Sequence, residues 1–89
     1  MDITLARTFL DIVACGSFVR AAERLHVTQT AVSARVRTLE DAIGARLFVR
    51  NKAGASLTTA GEQFVRYATM MVQVWELSLI HISEPTRPY

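Results

Sequence analysis

The sequence predicts a mainly α-helical domain that carries one small β-hairpin and continues into a long helix, and three observations predict it. Apolar residues recur at the three- and four-residue spacing of a buried helix face in four separate stretches. Capping residues or glycines stand at the ends of those stretches. Between the third and fourth stretches, a short apolar run is followed by a glycine-containing turn, as in a hairpin. At 89 residues the chain has room for one such domain around one modest core.

The first helix is expected over Ile3–Ala14, where Leu5, Phe9, Ile12 and Val13 recur at helical spacing, with Asp2 as its cap and Gly16 as its stop. Ser17 caps a second helix that runs through Ala21, Ala22 and Leu25 and ends near His26, a turn residue whose charge suits a helix end. Thr28 caps the third. At 100° per residue, Val36, Leu39 and Ile43 fall within about 40° of Val32, so one face of this helix is core. The opposite face holds Thr30, Ser33, Ala34 and Arg37, which are small or hydrogen-bonding with one long cation. Small side chains allow a helix to approach another surface closely. Gly44 ends the helix in the position of a left-handed carboxyl cap.

Leu47–Arg50 reads as a strand, Asn51–Ala55 as a turn and Ser56–Thr58 as a return strand, which makes a hairpin with a basic tip. Thr59 lies three residues before Glu62, the spacing of a capping box, so a fourth helix is expected to begin close to Thr58 or Thr59. It presents Phe64, Ala68, Met71 and Trp75 along one stripe, with Val65 and Val72 beside it. That is more apolar surface than a small core is expected to cover, so the stripe is assigned to a second chain.

Two helices joined by a short turn, the second with a small polar outer face, form a helix-turn-helix whose second helix fits the DNA major groove. The formal net charge is only +2, with a pI near 9.2. Its distribution is more informative: between Ser17 and Arg66 there are eight basic residues against four acidic ones. Nine of the ten basic residues are arginine, whose planar fork matches phosphate oxygens and guanine edges.

Other function classes are disfavoured by composition. Hydrophobic residues at 51% and charged residues at 20% describe a folding chain rather than a disordered one. The single Cys15 excludes an internal disulfide and a cysteine-based zinc site, and it reads as a small buried hydrophobe. No paired-carboxylate cleft, glycine-rich phosphate loop or Cys, His and acid set at catalytic spacing is present, so no catalytic residue, metal or cofactor is expected. No stretch has the apolar length of a membrane span and the amino terminus lacks a signal-peptide pattern, so a cytoplasmic protein with no membrane partner is expected.

The run Gly16-Ser17-Phe18 through Ala21-Ala22, Leu25, Val27-Thr28-Gln29, Ala31-Val32-Ser33, Leu39-Glu40, Gly44, Leu47-Phe48, Arg50, Leu57-Thr58 and Ala60-Gly61 closely resembles LysR-type transcriptional regulators, over residues 3 to 70 without a gap. The resemblance implies a winged helix-turn-helix that binds double-stranded DNA, and a linker helix that forms a homodimer. It also implies a carboxyl-terminal domain for a small effector, of which these residues contain none. Thr30 departs from the proline common there in the family; proline would preset the first helical turn, whereas threonine adds a hydroxyl. The wing departs too: the family usually carries a second cation near Asn51 or Ala53, where this chain offers Arg50 and Lys52.

On this reading residues 1–58 are the winged helix-turn-helix and residues 59–76 begin the dimerisation helix, with Phe64, Ala68, Met71 and Trp75 at its contact. Gln29 and Ser33 are read as base contacts, with solvation as the alternative for Gln29 at a helix start. Thr28 caps its helix, touches phosphate, or does both. Thr30 and Arg37 complete the reading face, and Arg35, on its flank, ranks below Arg37. Arg20, Arg50 and Lys52 are assigned to phosphates. Arg46 and Arg66 are assigned to solubility or surface ion pairs.

Leu77 to Tyr89 form a separate problem, because they are similar to the in-frame translation of a sequencing-library adapter. They are expected to carry no function, with a genuine extension broken at Pro85 as the alternative. A second functional class also stays open. The apolar stripe of the last helix would suit a helical protein-interaction module whose basic middle keeps it soluble; a small enzyme is the weakest reading.

Overall fold

In the computed structural model, which describes the backbone of residues 2–83 and the side chains of residues 2–77, each of the first three helices starts at a side chain that satisfies its exposed amides. Helix α1 spans Ile3–Cys15, and Asp2 Oδ1 accepts from the Thr4 amide at 2.9 Å. Helix α2 spans Phe18–Leu25 and is capped by Ser17, whose Oγ accepts from the Arg20 amide at 3.3 Å. Helix α3 spans Gln29–Ile43, with Thr28 Oγ1 accepting from the Ala31 amide at 3.0 Å. Such caps each stabilise a helix by about 1 kcal/mol. Gly16, His26 and Gly44 close the three helices in left-handed conformation, at φ 68°, 57° and 83°. His26 thus serves as the turn residue expected of it.

Beyond α3, strands β1 (Phe48–Asn51) and β2 (Gly54–Leu57) pair antiparallel with Phe48 opposite Leu57 and Asn51 opposite Gly54. The hairpin is tighter than the sequence reading, which placed the turn over Asn51–Ala55. Two local features allow the chain to reverse through Lys52 and Ala53 alone. Asn51 Oδ1 accepts from the Ala53 amide at 2.9 Å, and Gly54 takes φ 135°, which side chains disfavour.

Helix α4 runs over Thr59–Ser83, about 37 Å at 1.5 Å per residue. It begins at Thr59, as expected, but the Thr59 and Glu62 capping box and the return strand drawn through Thr58 are corrected. Thr58 is the cap: its Oγ1 accepts from the Gly61 amide at 3.0 Å and donates to the Arg46 carbonyl at 2.5 Å. The hydroxyl therefore stitches the helix to the approach of β1. Residues 77–83, assigned to a tail by sequence, continue α4, and the rest of that tail lies outside the described residues.

The core unites all four helices and the hairpin. Phe9, Ile12, Val32, Leu39 and Leu47 are fully buried. Phe9 stands between Phe48 and Phe64, with ring centroids 5.3 and 5.1 Å away, and Phe18 meets Phe48 edge-on at 5.5 Å. Aromatic pairs of this kind add about 0.5–1.5 kcal/mol each beyond their buried area.

The α4 stripe behaves differently from expectation. Ala68 is completely buried, and Phe64 and Met71 are half-buried against the same core, because α1 lies along α4 and covers them. Of the four residues assigned to a second chain, only Trp75 is exposed. The uncovered apolar face is a different one, made of Tyr67, Met70, Val74 and Leu77.

Candidate nucleic-acid interface

The hydrophobic period that buries Val32, Val36 and Leu39 turns Thr30, Ala34 and Arg37 outward, and these three are exposed together with Gln29 at the start of the helix. Ser33 is half-buried on the wing side of that face. Thr28 is exposed at the start of α3 with its hydroxyl on the cap, and Arg20 is exposed in the first turn of α2. Lys52 is exposed at the hairpin tip.

Two bonds tie the wing to the helices and a third closes its base. The Ala55 amide donates to the Gly16 carbonyl at 3.1 Å, which docks β2 on the turn between α1 and α2. The Leu47 amide donates to Glu40 Oε2 at 2.8 Å, and the Thr58 amide donates to the Leu47 carbonyl at 3.0 Å. Between α3 and β1 this leaves an open groove of about 870 Å³, whose lining includes Ser33, Arg37, Arg46 and Arg50.

Two of the expected DNA contacts are occupied within the chain. Arg35 is half-buried and its Nη1 donates to Thr8 Oγ1 at 3.2 Å, so it ties α3 to α1 instead of facing outward with Arg37. The reason is the buried Thr8 hydroxyl, which donates to the Thr4 carbonyl at 2.8 Å and keeps acceptor capacity for the guanidinium. Arg50 lies with its guanidinium carbon 4.1 Å from the Phe18 ring centroid and donates from Nη1 to Ser33 Oγ at 3.3 Å.

Three further side chains take part in the site: Phe18, Arg46 and Glu40. Phe18 is buried in the core, yet its ring also carries Arg50. The two-residue period of β1 puts Arg50 on the strand face of Phe48, and that signal was available. Arg46, expected to serve solubility or a surface ion pair, lines the groove. Glu40 acts as an acceptor for the wing backbone, which no spacing rule marks.

Comparison with known proteins places these features in a family context. Residues 3–62 match the model of the bacterial regulatory helix-turn-helix protein, lysR family. The HTH-type transcriptional regulator HdfR of Yersinia pestis (strain Pestoides F) is 47% identical over 78 residues, which is 88% of this chain and 27% of that protein. The chain thus spans about a quarter of the length of the curated relatives it matches. Among solved structures, a CbnR DBD–DNA complex superposes with a TM-score of 0.91 at 28% identity, over 98% of this chain and all of that one. Vibrio fischeri DarR in complex with DNA gives a TM-score of 0.90 at 34% identity, over 94% of this chain and 29% of that one.

Proposed function

Because the chain belongs to the LysR family of bacterial regulatory helix-turn-helix proteins, we propose that it reads a specific duplex DNA sequence as part of a transcription regulator. Helix α3 lies in the major groove and the hairpin runs along the neighbouring backbone. The observation that carries this reading is the exposed face of Gln29, Thr30, Ala34 and Arg37, small enough at its centre for a helix to enter the groove. Gln29 has the donor and acceptor pair that matches adenine, and Arg37 has the fork that matches guanine O6 and N7. Thr28, Arg20 and Lys52 contact phosphates and fix the register, with the amino-terminal amides of α2 and α3 adding to the attraction for anions.

The DNA-bound form is a homodimer, each copy placing α3 in one half-site of a roughly palindromic operator. The contact is assigned to the exposed α4 face of Tyr67, Met70 and Val74, whose three- and four-residue spacing is that of a coiled-coil seam, with Trp75 at its edge. No enzymatic step is assigned to the chain, and its place of action is the cytoplasm. No described helix is long and apolar enough to cross a membrane. Effector recognition, which the family resemblance gives to a carboxyl-terminal domain, is assigned to none of these residues.

The test is titration of duplexes enriched from a randomised pool, followed across salt. Six or more phosphate contacts would make affinity fall on the order of 10³-fold between about 50 and 200 mM salt. Retention on duplex DNA that is weak and indifferent to salt would overturn the reading and leave a protein-interaction module built on the α4 face.

A further inference from the structure

Building on the DNA-reading role, we propose that Arg50 is a positioning residue for base recognition, which fixes the hydrogen-bonding polarity of Ser33. One side chain here joins three elements. Arg50 leaves β1 on the strand face of Phe48, its guanidinium rests over the Phe18 ring at 4.1 Å, and Nη1 donates to Ser33 Oγ at 3.3 Å. Phe18 is a rigid platform, since it is 5% exposed and its ring meets Phe48 edge-on. A cation over an aromatic face is held by the ring quadrupole, more strongly when water is excluded. DNA closing over the groove between α3 and β1 would exclude it.

The consequence falls on the Ser33 hydroxyl. A hydroxyl has one proton and two lone pairs, whereas a guanidinium only donates. With one lone pair taken by Arg50, the proton of Ser33 points away from the cation. One lone pair and the proton remain, and the cation beside the oxygen repels a second N–H donor, so Ser33 meets a base more readily as a donor. The acceptors open to it in the major groove are guanine O6 and N7, adenine N7 and thymine O4, and the amino group of cytosine is disfavoured. Arg50 thus acts on specificity without touching a base, in contrast to a cation that only neutralises phosphate.

The experiment enriches duplexes from a randomised pool with the 89-residue chain and with Ser33→Ala, Arg50→Lys, Arg50→Met and the Arg50→Met/Ser33→Ala double variant. Ser33→Ala and Arg50→Met are expected to flatten the preference at the same base pair by about 10-fold, with the double variant no flatter than either single one. Arg50→Lys keeps the charge but loses the planar stack on Phe18 that aims the donor at Ser33, so it retains the salt slope and loses the preference. It also carries the test if Arg50→Met does not melt cooperatively. Unchanged base preference in Arg50→Lys, or a uniform loss of affinity in Arg50→Met with a salt slope lower by about one contact, would overturn the proposal and make Arg50 a phosphate contact. Enrichment of no sequence by the wild-type chain would instead overturn the DNA-reading role itself, and this inference with it.

Discussion

Arg35 and Thr8, 27 residues apart in sequence, are joined by a hydrogen bond of 3.2 Å from the guanidinium to the buried hydroxyl. Two positions further along α3, Arg37 is exposed and faces the other way. The two arginines therefore belong to different tasks, although both stand on the same helix. Arg35→Met is expected to lower stability by about 1 kcal/mol, a fall in Tm of roughly 4–8 °C, by removing a charge-assisted donor from a buried hydroxyl. Base preference should not change. Thermal melts and pool enrichment read the two effects separately, and a shifted preference with an unchanged melt would return Arg35 to the DNA face.

Arg37→Ala is expected to do the reverse. Loss of a forked contact to a base costs about 1–3 kcal/mol on the preferred duplex and much less on scrambled DNA, with Tm unchanged. Lys52→Ala, at the exposed hairpin tip, weakens both duplexes alike and lowers the salt slope by about one contact. Parallel titrations at fixed salt distinguish these outcomes; equal losses on both duplexes for Arg37→Ala would remove its assigned role.

Gly54 is the tightest point of the wing. Its φ is 135°, and an added Cβ would stand 2.5 Å from the Gly16 carbonyl oxygen. Gly54→Ala must therefore push β2 off the turn between α1 and α2, at a cost of about 2 kcal/mol or more, or at least roughly 8 °C in Tm. The neighbouring bond from the Ala55 amide to Gly16 should open with it, which amide hydrogen exchange measures. A protected Ala55 amide in the variant would contradict this account.

Helix α4 offers two faces with opposite expected responses. Ala68 has no exposed surface, so Ala68→Leu overfills the contact with α1 and costs about 1–3 kcal/mol. Val74→Glu, on the exposed face, is expected to leave the melt of the isolated chain within about 0.5 kcal/mol while shifting the dimer toward monomer in sedimentation. A Val74→Glu chain that sediments like the wild type would move the dimer contact elsewhere.

Much of the architecture is legible in the sequence because its causes are local. Asp2, Ser17 and Thr28 cap helices through amides two or three residues away, and Gly16 and Gly44 end helices within their own last turn. The core face of α3 follows from the same short-range periodicity. The α4 stripe shows where this reasoning stops. Phe64, Ala68 and Met71 form a recognisable apolar row, but whether a second chain or α1 covers it depends on the path of the intervening hairpin.

The candidate site divides along the same line. That α3 carries Thr30, Ala34 and Arg37 away from Val32 and Leu39 is a matter of helical geometry, and the sequence alone determines it, whereas Gln29 is exposed because it stands at the helix start. The destinations of Arg35 and Arg50, the acceptor role of Glu40 and the docking of β2 on Gly16 were decided by the tertiary structure. A long cationic side chain has several partners within reach, and only the assembled fold brings a buried hydroxyl to one guanidinium and an aromatic face to the other.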